Sequence, residues 1–309
     1  MTEKSIQKSS SDSDIANLRV STALGTEAGI NENCHTFTGM VPANSKHVMR
    51  NPRIVLILWG HFYVTNSAVA TNATTLISDL VSGPFMNGLA QYGVGGGSVI
   101  GTFVVDIPPP GPDPINLTRE NVRDQLIDWI NRGTISPGPA VGEQNLIYVI
   151  FLPTGSTTTE AAGTGGYHNH DKYNANSSDD DLFWAVILTN ATWVDQTSST
   201  NFVKSLSFIV SHELNEAFTD RDEKGFITDG GCEIGDICET RGTNPCCFTF
   251  SYRGWRVEQY WSNWDNNCIN GDQPVSVKRF LQAIGVDGSR GLRQLQSNVI
   301  NVNFVASRM

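Results

Sequence analysis

Leu146-Ile147-Tyr148-Val149-Ile150-Phe151-Leu152 is seven apolar residues without a break, entered from polar Glu143-Gln144-Asn145 and stopped by Pro153. A run this short, rich in β-branched and aromatic side chains and bounded by turn formers, reads as a buried strand and not as a helix. Three more runs of this kind occur, at Ile54–Trp59, Val99–Val105 and Phe183–Leu188. Helical patterns lie between them. One covers Ala70–Leu80, another Met86–Tyr92, and a third opens at Thr118 as N-cap and closes at Gly133. The third sets Val122, Leu126, Ile127, Trp129 and Ile130 on one side. Strands alternating with helices predict an α/β fold with a mixed central sheet. With no repeat and no linker, residues 15–309 are expected to form a single domain behind a polar leader, 1–14, that is expected to be disordered.

The strongest helical signal is Asn201–Thr219, with Ser198, Ser199 or Thr200 as cap. Its apolar residues Phe202, Leu206, Ile209, Val210, Leu214, Ala217 and Phe218 recur with a period of 3.6. This helix is expected to pack under the sheet with His212 near its exposed end. Pro153–Asp181 and residues 220–272 read as long loops, Ser276 as the cap of a short helix, and Val299–Val305 as a β-like tail.

Composition removes several classes of function. The 309 residues carry 21 basic against 31 acidic side chains, a net charge of −10, with no cluster of Lys and Arg, so no nucleic-acid partner is expected. No apolar run approaches the ~20 residues that span a bilayer, so no membrane span is expected. Five of the six cysteines fall within a cysteine-rich lobe, 232–268, and no CxxC pair occurs. Disulfides are therefore expected: two within the lobe, and Cys34 joined to a lobe cysteine, with Cys246 and Cys247 not joined to each other. That chemistry belongs to a secreted or extracellular protein. Trp255, Tyr260, Trp261 and Trp264 either line a carbohydrate or peptide groove or form a small secondary core. No GxSxG elbow and no P-loop is present, and the Gly93–Gly97 run precedes a strand in the wrong register for a dinucleotide fingerprint.

The chemistry concentrates in Ser211-His212-Glu213-Leu214-Asn215-Glu216. His212 and Glu216 stand four apart, so they project from one helical face a turn apart. An imidazole and a carboxylate so placed can share one Zn²⁺, and Glu213 beside them can act as general base towards water. This is the spacing of the zinc-peptidase HExxH motif with Glu as its last member, here HExxE. From His212 to Glu239 there are nine acidic residues against two basic ones. That charge density asks for a cation. Ca²⁺ competes with zinc there, since Asp220, Asp222, Asp229, Glu233 and Asp236 are hard oxygen ligands, although EF-hand spacing is absent.

The wider pattern, SHELNEAFTDRDEKGF followed by Gly230-Gly231-Cys232-Glu233-Ile234-Gly235-Asp236-Ile237-Cys238, resembles the microbial relatives of the plant phosphate-induced, EXORDIUM-like proteins. Asn51–Phe62, Gln91–Ser98 and Gly166-Tyr167-His168 resemble further motifs of that family, so the likeness spans about 40–290. Arg221 departs from it, standing where the relatives usually have Pro. The resemblance implies a secreted or surface-associated protein, and it puts His168, His212, Glu213, Glu216, Asp220, Glu233 and Asp236 at motif positions. On that basis Glu233 is the expected third metal ligand, His168 its competitor, and Asp236 the outer partner of His212. The sequence thus points to a metal-dependent hydrolase, a peptidase or amidase acting on a peptide or small molecule. The rival is a non-catalytic extracellular protein bound to cell-wall polymer, with a structural cation.

Overall fold

In the computed structural model, residues 45–109, 116–140, 143–158, 165–173, 181–190, 194–239 and 249–272 are described, together with residues 34, 37 and 41. In chain order the first elements are β1 (Arg53–Trp59), α1 (His61–Thr65), α2 (Ser67–Ser82), a 3-10 segment (Pro84–Tyr92) and β2 (Ser98–Val105). There follow β3 (Asn116–Leu117), α3 (Arg119–Asn131), β4 (Leu146–Phe151), β5 (Thr157–Thr158), β6 (Gly166–Lys172) and β7 (Asp181–Ile187). The last are α4 (Ser199–Thr219), α5 (Asp236–Glu239), β8 (Thr249–Tyr252), β9 (Trp255–Glu258), β10 (Tyr260–Ser262) and β11 (Asn267–Ile269).

Five strands form a mixed sheet in the order β2-β1-β4-β7-β6, parallel except for β6 at the edge. β1, β4 and β7 read as apolar runs because side chains of the helices cover both their faces, whereas β2, expected as a buried strand, is the half-exposed edge strand, with Gly101 and Thr102 inside it. Ile54, Leu56 and Leu58 point to one face with Ile147, Val149 and Phe151, and there they meet α2 and α4. Val55, Ile57 and Trp59 point to the other with Tyr148, Ile150 and Trp184, and meet Val122, Leu126 and Trp129 of α3. The strand period of two and the helix period of 3.6 together give three layers. Trp59 and Trp129 close the α3 side edge-to-face with ring centroids 4.9 Å apart.

The four strands read from apolar runs are all present, and α4 starts where its cap predicts, with Ser198 Oγ accepting from the Asn201 N–H. Several expectations change. Met86–Tyr92 lies in a 3-10 segment that begins at Pro84. Gly133 follows the C-cap Arg132 of α3 and takes the left-handed conformation, φ +68°. Pro153–Asp181, read as a loop, contains β5 and the seven-residue strand β6. The polar sequence Gly-Tyr-His-Asn-His-Asp-Lys hides β6 because its helix-facing side abuts a polar centre and not the core. Residues 220–272, also read as loop, hold α5 and two antiparallel pairs, β8–β9 and β10–β11.

Two disulfides are present among the described residues. Cys34–Cys232 joins residues 198 apart in the chain, and Cys238–Cys268 joins α5 to β11 across 30. Cys246, Cys247, the leader 1–14, the helix expected from Ser276 and the tail Val299–Val305 lie outside the described residues. Trp255, Tyr260 and Trp261 are buried within the core on the α4 side, with Phe85 edge-on to Tyr260 at 5.7 Å, so these three form core and not a groove. Among the described residues no helix is long and apolar enough to cross a membrane.

Candidate metal centre

The last two turns of α4 are buried all round, which is unusual for a helix end carrying His212, Glu213 and Glu216. The expectation that His212 sits at an exposed end therefore fails. The chain after Thr219 turns back over the helix end: the Phe226 N–H donates to Thr219 O, and the Asp236 N–H donates to Glu216 Oε1 at 3.1 Å. From the other side β9 lies along α4, its Glu258 N–H donating to Ser211 Oγ at 2.8 Å. Strand β6 supplies a third wall. Tyr167 packs against Trp184 on the α3 side, so the pleat turns its neighbour His168 towards α4.

Two imidazoles and four carboxylates converge there. His212 Nε2 is 3.2 Å from Glu216 Oε2 and 3.9 Å from Asp236 Oδ1. His168 Nδ1 is 3.5 Å from Glu213 Oε2 and 3.8 Å from Glu216 Oε2, while its Nε2 is 3.4 Å from Glu233 Oε1. All five separations exceed the about 2.9–3.0 Å of an ordinary N–H···O bond. A tetrahedral ion with bonds of about 2.0–2.2 Å spaces its ligand atoms about 3.3–3.6 Å apart, which is the spacing of the closest pairs. Three overlapping groups have ligand atoms within 4.8 Å of one another: His168, Glu213 and Glu216; His212, Asp236 and Glu239; and Glu216, Glu233 and Asp236.

The backbone fixes these side chains in a consistent way. Glu216 has Oε1 held by the Asp236 N–H and turns Oε2 inward; Asp236 has Oδ2 held by the Glu233 N–H and turns Oδ1 inward. Gly235 makes this approach possible, since a Cβ there would lie 2.7 Å from Glu216 Oε1 and 2.9 Å from His212 Nδ1. Gly166 does the same for Glu213, whose Oε1 would be 2.8 Å from an added Cβ. Three carboxylate oxygens lack a hydrogen-bond partner among the described residues although buried: Glu233 Oε1, Asp220 Oδ2 and Glu258 Oε1.

Burial pushes Glu216 up to about 7, with Glu233 and Glu213 adding to the rise against the pull of His212. Asp236 rises to about 7, through burial and then Glu216. Burial also raises Glu233 and Asp220. The two histidines move oppositely to what burial alone dictates. Glu216 and Glu258 hold His212 well above its ordinary value, and Glu233 and Glu213 do so for His168. Burial raises the carboxylates and the carboxylates raise the imidazoles, so the centre favours its protonated forms.

His212, Glu213, Glu216, Glu233, Asp236 and His168, all singled out in the sequence, are thus brought together. Their pairing differs from the expected one. The imidazole within ion-pair reach of Glu233 is His168, and the carboxylate shared with His212 and Glu216 is Asp236. The Nδ1 partner of His212 is Glu258, at 2.7 Å, and not Asp236. Glu258 lies in the lobe 46 residues further on, and no spacing in the sequence flags it. Asp220 caps α4 and accepts from the Gly225 N–H. His47 pairs with Asp222 and His61 with Asp106, outside the centre. Arg221, at the position where the resemblance expects Pro, is buried and donates to the carbonyls of Val48 and Lys46. Neither a protein-family model nor a curated protein matches the chain.

Proposed function

We propose that the chain is a metal-dependent hydrolase, a peptidase or amidase, in which His212 Nε2, Glu216 Oε2 and Asp236 Oδ1 hold a zinc ion and Glu213 is the general base. Glu233 and His168 complete the wall. The observation that carries this reading is the convergence of His212 Nε2 with Glu216 Oε2 at 3.2 Å and Asp236 Oδ1 at 3.9 Å, beside carboxylates that burial drives to take up protons. A zinc ion held there would polarise a carbonyl and lower the pKa of a bound water to about 7. Glu213 would accept a proton from that water, and His168 Nδ1, 3.5 Å from Glu213 Oε2, would steady its carboxylate. The side chains of His212, Glu213 and Glu216 are at most 4% exposed, against 10% for His168 and 17% for Glu233, so substrate approaches past His168 and Glu233.

The deep burial of the centre also favours a second reading, a structural cation, Ca²⁺ included, in a non-catalytic extracellular protein. The resemblance to the EXORDIUM-like family is likewise a proposal, supported by the meeting of its motif positions from α4, β6 and the 233–236 turn. Disulfides are compatible with an oxidising, extracellular setting. Elemental analysis followed by amide-hydrolysis assays tests the proposal. Zinc at about one per chain is expected, and Glu213→Gln should keep it while losing about 10²–10⁴-fold in turnover. A chain that takes up calcium and no zinc, with no hydrolysis, would establish the second reading.

A further inference from the structure

Glu258 stands outside the ring of inward-facing ligands. Its Oε2 lies 2.7 Å from His212 Nδ1, a short hydrogen bond, while Oε1 has no hydrogen-bond partner among the described residues. The pair is buried, at 1% exposure for Glu258 and 3% for His212, so water does not compete for the bond. Its position is set by β9: the Glu258 N–H donates to Ser211 Oγ, and the Arg256 N–H donates to Ser207 Oγ at 3.0 Å, one helical turn earlier.

We infer that Glu258 is the positioning residue that makes this centre selective for a nitrogen-seeking transition ion over calcium; the inference rests on the metal-centre reading above. The selectivity resides in the tautomer of His212. An imidazole whose Nδ1–H is committed to a carboxylate presents Nε2 as a lone pair, and Nε2 is the atom facing Glu216 and Asp236. Rotation of the ring about its Cβ–Cγ bond would break the 2.7 Å contact and bury the Glu258 carboxylate unpaired. Glu258 thereby locks one nitrogen donor among carboxylate oxygens. Zinc uses that nitrogen well, whereas calcium takes oxygen ligands and gains nothing from it. Without Glu258 the ring is free to turn, and the remaining donors are oxygens that serve calcium as well as before.

Competition titrations with a chelator on the oxidised full chain measure this directly, using Zn²⁺ and Ca²⁺ as separate probes. Glu258→Gln keeps the size of the side chain, and its zinc affinity should fall about 10–100-fold with calcium affinity unchanged. Equal losses for both ions, or no loss for zinc, would overturn the inference. Should the variant fail to fold, ¹⁵N spectra of the zinc-loaded wild type decide: Nδ1 protonated and Nε2 metal-bound for His212 supports it, and the reverse pattern overturns it. Failure of wild type to bind zinc at all would instead count against the metal-centre reading.

Discussion

Gly235 shows how little room the centre leaves at the level of one residue. A methyl group there would press on Glu216 Oε1 and His212 Nδ1 at 2.7 and 2.9 Å, and neither can retreat, because the Asp236 N–H holds the first and Glu258 the second. Gly235→Ala should therefore cost about 1–3 kcal/mol of stability by overpacking and weaken zinc binding at least tenfold. Thermal melts with and without zinc check both effects. A variant as stable and as tight-binding as wild type would mean that the turn is free to shift. Ser211 acts at the same scale. Its hydroxyl donates to Phe208 O within α4 and accepts from the Glu258 N–H, so a side chain that usually weakens a helix interior becomes the peg on which β9 hangs.

Among the elements, the turn that carries Glu233 and Asp236 is held at both ends. Cys232 precedes it and is tied to Cys34; Cys238 follows it within α5 and is tied to Cys268 on β11. The Trp261 N–H adds a backbone bond to Ile234 O from β10. A loop of 30 residues closed by a disulfide is restrained by about 3–4 kcal/mol in its unfolded state. Replacing Cys238 and Cys268 with Ser should lower the melting temperature and, because Glu233 and Asp236 of the proposed centre lie between the two bridges, also weaken zinc binding. Titration of zinc into the oxidised and the dithiol-reduced protein, with circular dichroism to follow the sheet, separates the two effects. Identical zinc affinity before and after reduction would show that the turn needs no clamp. The sheet itself stands apart from this: β1, β4 and β7 are covered on both faces by apolar side chains of α2, α3 and α4.

Across the whole molecule the buried charge makes stability depend on pH in a direction opposite to common acid denaturation. Glu216, Asp236 and Glu258 titrate in the folded chain at about 7, 7 and 8, above their ordinary values of 4.5, 3.8 and 4.5. A raised folded value means that the folded state holds protons the unfolded state has released. Their contribution is complete below about pH 4 and is lost as pH climbs through about 7–8. His168 and His212, also raised, lose theirs above 6.5. The metal-free protein should thus melt at a lower temperature at about pH 8 than at about pH 5, with a chelator present. Zinc should reverse the trend, since deprotonated ligands bind it better, adding about 2.7 kcal/mol when free zinc is a hundredfold above Kd. Melting curves across that range, with chelator and with zinc, test the sign. A metal-free chain that grows steadily more stable towards about pH 8 would contradict the buried-charge account.

What the sequence determined by itself is whatever depends on neighbours along the chain. Apolar runs marked β1, β4 and β7 because burial on both faces leaves no polar alternation to read, and β-branched and aromatic residues marked the half-exposed edge strand β2. The 3.6 period marked α4, and the four-residue spacing of His212 and Glu216 placed them on one face of it. Only the tertiary structure decided the rest. His168 reaches the centre because antiparallel pairing with β7 sets Tyr167 opposite Val186 and His168 opposite Ala185, and a polar strand announces neither its existence nor its register. Glu258 meets His212 because β9 is pegged to α4 through side chains far apart in sequence. The depth of the centre is also tertiary: the acidic segment after Thr219 reads as loop, yet its backbone N–H groups anchor inward-turned carboxylates, and that anchoring offsets the cost of taking them out of water.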